Sequence, residues 1–337
     1  MIKANHITMT CFLSGILLLA GCRGTVGDLP EKDDVTFSLL GTDTRTTIDL
    51  GEGNIDRWTL LLYRDGKLAD VGTSGVETSI RCTLETGTYM AFAVVNPPSS
   101  FRPNALKTLS DLFNAELDLR DNTPSRLIMA GSRSLTVPVT DSSPQTIKVD
   151  RLVAKASIRK ISVSFTDPVL QTRTFRLKAI YLTNCYGKTK LGNDGDVSWM
   201  NADASYWYNR MGFHSDTGIN ALLADRSINA VISASSPYRQ THHFYFYPNQ
   251  IAQDSRSGNW SIRHTRLVLE AEIGGRIYFY PVTLPSTSRN KTYIIEEAII
   301  RKLGSNDPEK EEPGSIDVVF STSTGDWGTI YTVQEKS

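Results

Sequence analysis

The feature that most limits what this chain can become is the spacing of its apolar residues, which recur at every second position. Val35, Phe37 and Leu39 alternate with Thr36, Ser38 and Leu40, and Trp58, Leu60 and Leu62 repeat the pattern before Asp65-Gly66 supplies a turn. Side chains of a strand point alternately to opposite faces, so this period marks strands with one buried face. An apolar run from Thr88 to Val95 ends at Asn96-Pro97-Pro98, which must break it. Alternation resumes at Leu135-Val137-Val139 and Ile147-Val149. Later strands are read at Ala156-Ile158, Ile161 to Phe165, Phe175 to Tyr181, His243 to Tyr247, Leu267 to Ile273, Ile277 to Val282, Tyr293 to Ile300 and Ile316 to Phe320. Only between Asn104 and Leu119 does the spacing turn helical, through Leu106, Leu109, Leu112 and Phe113, which predicts a short helix with a core-facing stripe.

Many strands with almost no helix predict an all-β chain of two transthyretin-like antiparallel β-sandwich domains, with the short helix in the first. A parallel α/β fold is disfavoured because crossover helices are missing. The polar break Asp141 to Thr146 sets the expected organisation: 1–21 a signal peptide, 22–45 an N-terminal segment with a separable first strand, 46–146 the first sandwich and 147–337 the second. The stretch Leu191 to Gly218 reads as long loops.

The N-terminus carries its own signal. A basic start at Lys3 is followed by an apolar stretch closing on Leu19-Ala20-Gly21-Cys22, the form of a bacterial lipobox. The apolar part is shorter than the roughly 20 residues a membrane span requires. Cys22 is therefore expected to carry the lipid (palmitate among its acyl chains) that ties an exported protein to the outer membrane without crossing it. Lys and Arg number 36 and Asp and Glu 36, so no net charge favours a nucleic-acid partner. Cys82 and Cys185 lie far apart and read as buried small apolar residues rather than a disulfide framework.

Motifs for chemistry are missing from the sequence. The adjacent His242 and His243 would point to opposite faces of a strand, and there is no Cys-x-x-Cys, His-Glu-x-x-His, P-loop or Gly-x-Ser-x-Gly elbow. Asn193-Asp194-Gly195-Asp196 lacks the spaced acids and closing glutamate of a calcium loop. No cofactor, metal or catalytic residue is expected, and the chain does not read as an enzyme.

Several segments, in order along the chain, resemble the fimbrillin family, the lipoprotein pilus subunits of Bacteroidales-type bacteria, with its stalk, anchor and tip proteins. They are Gly87-Thr88-Tyr89 with Val94-Val95-Asn96, Met129-Ala130-Gly131, and Arg151-Leu152-Val153-Ala154-Lys155 as the closest match. Phe244 to Asn249, Arg289-Asn290-Lys291-Thr292-Tyr293 and Asp326-Trp327 continue the series. The resemblance implies a structural subunit of a surface fimbrium that supports adhesion and is assembled by donor-strand exchange. An arginine-directed protease removes the first strand, and a strand from another subunit takes its place. On these residues, a cut after Arg45 in the polar linker Thr42 to Thr47 would release Val35, Phe37 and Leu39 together with the lipid on Cys22. At about 1.5–3 kcal/mol per buried side chain, the strand contributes on the order of 5–9 kcal/mol. The implied donor is the tail, with Tyr331 and Val333 entering the vacated positions and Ile330 on the opposite face. Such head-to-tail contacts build an open filament whose partners are other pilus subunits. The alternatives are a non-polymerising anchor or tip subunit, or a surface glycan-binding lipoprotein. In the last case Trp199, Tyr206, Trp207 and Tyr208 would offer an aromatic platform to a host or bacterial surface ligand.

Overall fold

The computed structural model describes residues 31–40, 52–75, 79–192, 207–209, 219–254 and 262–323. The elements below lie in one contact unit, Lys32–Ser337. The first half contributes strands β1 (Lys32–Leu40), β2 (Trp58–Arg64), β3 (Lys67–Ser74), β4 (Ser79–Glu85) and β5 (Gly87–Val95). Helix α1 (Leu109–Asn114) follows, then β6 (Glu116–Asp118), β7 (Met129–Val137), β8 (Gln145–Lys148) and β9 (Asp150–Arg151). A three-stranded sheet in the order β4-β1-β8 faces a five-stranded sheet in the order β3-β2-β5-β7-β9.

The second half comprises β10 (Ala154–Ile158), β11 (Ile161–Val163), α2 (Pro168–Gln171), β12 (Phe175–Thr183), β13 (Cys185–Tyr186), β14 (Lys188–Lys190) and β15 (Trp207–Tyr208). It continues with α3 (Asn220–Leu223), β16 (Ala224–Asp225), β17 (Ala230–Ile232), β18 (His242–Phe246), β19 (Arg266–Ile273), β20 (Arg276–Thr283), β21 (Thr292–Ile300) and β22 (Ile316–Ser323). One sheet runs β11-β21-β10-β18 with β22 on β21, and the other runs β16-β12-β19-β20 with β17 on β12. The chain is all-β, as its alternation implies. Strand pairing is mixed rather than purely antiparallel: β1 with β8, β10 with β21 and β11 with β21 are parallel. Partners change between Arg151, whose strand pairs with β7, and Ala154, whose strand pairs with β18.

The central strands of the first half differ from the one-faced reading of their alternation. Trp58, Leu60 and Leu62 of β2, with Ala91, Ala93 and Val95 of β5, face the three-stranded sheet. Leu61 and Tyr63, with Phe92 and Val94, face the other way, into a core continuous with Leu177, Leu269 and Ile295 of the second half. The five-stranded sheet is thus buried on both faces: one closes the core of the first sandwich, and the other adds to the core of the second half. The pair β6–β14 joins them directly, Leu117 opposite Thr189.

The predicted helix shrinks to Leu109–Asn114, started by a capping box in which the Thr108 side chain accepts from the Asp111 N–H and the Asp111 carboxylate from the Thr108 N–H. Leu112 is fully buried, but Phe113, expected in the core stripe, is 37% exposed. The Asp65-Gly66 turn has positive φ at both residues, 51° and 74°, as a two-residue hairpin of this type requires. Cys82 and Cys185 are free and buried on separate strands.

Gly131 of the Met-Ala-Gly segment shows why that segment ends on glycine. A β-carbon there would lie 1.9 Å from the carbonyl oxygen of Lys148, where β7 and β8 cross. Gly131→Ala must push these strands apart, and a loss of about 1–3 kcal/mol or more is expected from such overpacking. Chemical denaturation checks it; a variant as stable as the parent would refute the close approach.

Candidate functional site

Strand β1 lies in the middle of its sheet. Lys32 to Ser38 pair antiparallel with Glu85 to Ser79 of β4, and Phe37 to Leu40 pair parallel with Gln145 to Lys148 of β8. Its alternation decides which side chains fill the first sandwich: Val35 and Phe37 are fully buried, and Leu39 is half-buried against the same cluster. Ile80, Cys82 and Leu84 from β4 and Ile147 from β8 form the walls, with Trp58, Leu60 and Leu62 opposite. Val35 stands directly across from Cys82, whose thiol is pushed up to about 11 by burial. On the solvent side the strand is tied more weakly. Asp34 accepts from Arg81 and Thr83 at 2.6 Å each, and the Ser38 and Thr146 hydroxyls are 3.2 Å apart. Water screens the exposed Asp34–Arg81 pair, so it holds the strand only weakly.

A second constellation lies where the halves meet. Glu52, just ahead of β2, is 6% exposed, and its carboxylate receives the Lys155 ammonium at 2.9 and 3.1 Å and the Tyr245 hydroxyl. Its carbonyl accepts from Arg151 Nε at 3.0 Å. Arg151 also donates to Asn290 Oδ1 at 3.4 Å, and Asn290 donates to Asp150 at 2.9 Å. The Arg-Leu-Val-Ala-Lys segment is therefore a clamp: both its charged ends close on one glutamate 99 and 103 residues earlier in the chain. Sequence reasoning singled out Arg151 and Lys155 but missed Glu52. The only available signal was that two buried cations require an anion.

Beside this network, His243 Nδ1 is 2.8 Å from the Ser157 hydroxyl. Desolvation, with the Lys155 charge next, holds its pKa below the ordinary histidine value, and burial does the same to His242. Among the described residues no group of three or more His, Cys, Asp or Glu could hold a metal ion.

Val35, Phe37 and Leu39 come together on one strand, as their spacing implies. Cys22, Arg45, Ile330, Tyr331 and Val333 lie outside the described residues, as do Asn193 to Asp196, Trp199 and Tyr206. The aromatic platform is not formed by its two described members. Trp207 is 3% exposed with its ring centroid 4.0 Å from that of Tyr186, and the Tyr208 hydroxyl donates to Asp118 at 2.9 Å. Both pack on their own protein because β15 pairs with β13.

No protein-family model matches the sequence, and no curated protein matches it. Solved structures do match. A fimbrilin from Porphyromonas gingivalis superposes with a TM-score of 0.63 at 16% identity, over 89% of this chain and 98% of that one. A Bacteroides eggerthii protein assigned to cell adhesion gives 0.62 at 18% identity, over 88% and 97%. The tip fimbrial protein Mfa3 from Porphyromonas gingivalis, with a C-terminal truncation, gives 0.52 at 16% identity, over 88% and 100%. At these identities the likeness is one of fold, shared with the fimbrilin and the tip fimbrial protein. It agrees with the resemblance seen in the motifs.

Two predictions follow from the clamp. Glu52→Gln leaves the Lys155 ammonium buried without its counter-charge and should cost about 3–5 kcal/mol in denaturation, much of it recovered in the Glu52→Gln/Lys155→Met double variant. An additive double variant would show that the pair is not coupled. For the histidines, a folded pKa below the unfolded value of about 6.5 means that the unfolded chain takes up protons first. Stability is then complete above about pH 6.5 and falls as the pH drops toward the folded values. Melting temperature between pH 8 and 5 should show this slope, and His243→Gln should flatten it.

Proposed function

We propose that this chain is a structural subunit of a cell-surface fimbrium, exported as a lipoprotein on Cys22, cut after Arg45 and polymerised by donor-strand exchange to support adhesion. The observation that carries the reading is the place of β1 between β4 and β8. Removing an edge strand exposes one edge, whereas removing β1 opens a slot with an unpaired strand on each side and an apolar floor. The two fully buried side chains alone represent about 3–6 kcal/mol of burial. A chain in that condition accepts any strand of matching alternation, because main-chain hydrogen bonds give the affinity and the side-chain pockets the register.

The clamp supports the same reading from the other end of the linker. Glu52 is locked to Arg151, Lys155 and Tyr245, so a cut before it frees β1 while the retained chain stays fixed to both halves. The fold shared with fimbrilin and with the tip fimbrial protein fits a subunit of such an assembly.

Cys82 reports directly on the slot. In protein starting after Cys22, a maleimide should label Cys82 slowly, since the thiol is 7% exposed under Val35, and fully buried Cys185 serves as the internal control. An arginine-specific protease should yield one new N-terminus at Thr46 and rapid Cys82 labelling in the cut monomer, lost again as an SDS-resistant ladder forms. A synthetic peptide covering 324–337 should restore protection. Cleavage elsewhere, or a closed Cys82 with no ladder, would end the polymerising reading and leave the anchor or tip role.

A further inference from the structure

The inward row of β1 does not begin with an apolar residue. Asp33 precedes Val35, Phe37 and Leu39 in the same phase: it stands opposite Leu84 of β4, as Val35 stands opposite Cys82 and Phe37 opposite Ile80. Those three partners are buried in the wall of the slot, and Asp33 itself is half-buried. A carboxylate at the head of an apolar row is tolerated where a donor meets it. Here Asp33 Oδ2 accepts the Val139 N–H at 3.1 Å. Val139 lies two residues beyond the end of β7 and packs its side chain against the slot cluster, so its N–H is a fixed donor at that end of the slot.

The next residue repeats the choice on the opposite face. Asp34 accepts from the Thr83 hydroxyl and the Arg81 guanidinium of β4, and these bonds hold its carboxyl below the usual carboxylate range. The pair with Arg81 is exposed and weak, but it places positive charge at the same end as the Val139 N–H. When β1 leaves, Val139, Thr83 and Arg81 each lose the acceptor that β1 supplies. Three donors then mark one end of an otherwise apolar slot.

We infer that, among strands of matching alternation, the slot prefers one from a different subunit that carries Asp or Glu two positions before its first inward apolar residue, with a second acid directly after it. The inference rests on the strand-exchange reading above and names the partner that reading requires. An occupant entering in reverse would carry its acids to the wrong end. This chain's own tail does not have the pattern. With Tyr331 and Val333 at the places of Val35 and Phe37, Thr329 and Ile330 fall at those of Asp33 and Asp34. With the same pair at the places of Phe37 and Leu39, Trp327 and Gly328 fall there. Neither placement supplies a carboxylate, so the tail is the weaker occupant.

The test uses soluble protein beginning after Cys22, cut by the arginine-specific protease, with the released segment removed and the protein diluted until no ladder forms. Synthetic peptides are titrated against Cys82 labelling: residues 31–40, the same with Asp33→Ala, with Asp34→Ala and with both, and residues 324–337. The parent 31–40 peptide is expected to protect Cys82 at the lowest concentration, and the Asp33→Ala and tail peptides to need about fivefold more or greater. Asp34→Ala should cost about twofold, a difference that disappears at 0.5 M NaCl and in Arg81→Met protein. Exchange of the Val139 amide, followed by NMR, should be slow in the parent complex and fast with the Asp33→Ala peptide, which apolar packing alone would not produce. Uncut Arg81→Met should melt with the parent. Equal protection by the parent and doubly substituted peptides, or an unprotected Val139 amide in the parent complex, would overturn this inference and leave strand exchange standing. A Cys82 that stays closed after cleavage, or that the parent peptide fails to protect, would overturn the strand-exchange reading and this inference with it.

Discussion

The first strand completes a sheet from its middle, and most of what is distinctive about this protein depends on that placement. An element at the end of a sheet adds surface; one in the middle holds two neighbours together. Strand β8 is a four-residue strand whose one backbone ladder within the described residues runs to β1. It is further attached to the body by side-chain packing of Ile147, the close crossing at Gly131 and the Arg133 guanidinium donating to the Thr146 carbonyl at 3.0 Å. The first sandwich is therefore finished by residues that its own linker separates from everything downstream. Apolar alternation in β1, with polar Thr36 and Ser38 on the other face, makes its contribution mainly burial and backbone pairing, with side-chain bonds at Asp33, Asp34 and Ser38.

The opposite design appears at the junction. There the burial of the Lys155 ammonium is tolerated because the Glu52 carboxylate matches it, so that removing either leaves an uncompensated charge, while Arg151 is tied to the Glu52 carbonyl and the Asn290 side chain. The asparagines of the motif segments act in the same spirit on the backbone. Asn96 holds a φ of 53° at the end of β5, accepts from Asp56 N–H and donates to the carbonyls of Asn54 and Leu127. Asn290 adopts 55° and bridges Arg151 to Asp150. Asn249, 4% exposed, joins the Thr287 and Thr265 hydroxyls and the Arg263 carbonyl. A left-handed turn with buried polar partners suits asparagine better than glycine, which would leave those groups unsatisfied. Such residues tie strand ends that no ladder can reach, and they fix the geometry of the halves.

How much of this was legible in the sequence follows from the range of the interactions involved. Alternation is local, so β1, β2, β5 and the β19–β20 hairpin could be read directly, as could the burial of Val35 and Phe37. What alternation cannot carry is which core each face meets. Leu61 and Tyr63 look like outward positions opposite Leu60 and Leu62 until the second half covers them. Parallel pairing of β1 with β8 needs two segments more than 100 residues apart to align, and no local pattern encodes it. Glu52 was invisible for the same reason. Trp207 and Tyr208 left two readings open because an aromatic-rich loop looks the same whether its rings face water or pack on Tyr186 and Asp118. Phe113 erred in the other direction: it lies within the helix, as its spacing implies, yet it is 37% exposed while Leu112 beside it is fully buried.

The two unequal edges of the slot also constrain what can occupy it. Because β1 is antiparallel to β4 and parallel to β8, the two flanking strands run in opposite directions, and any occupant forms one antiparallel and one parallel ladder. Hydrogen-bond type alone therefore does not select a direction. Length does: the register on β4 runs from Lys32 to Ser38, while that on β8 runs only from Phe37 to Leu40. Antiparallel pairing is the more stable per residue, so the longer edge favours an occupant that runs as β1 does. The period of two then sets the register in steps of two residues, since a slip of one would turn every apolar side chain to solvent. A strand that replaces β1 must bring alternating apolar residues to the places of Val35, Phe37 and Leu39, in the same chain direction, and the pocket vacated by Phe37 is the one that a smaller side chain would fill least well.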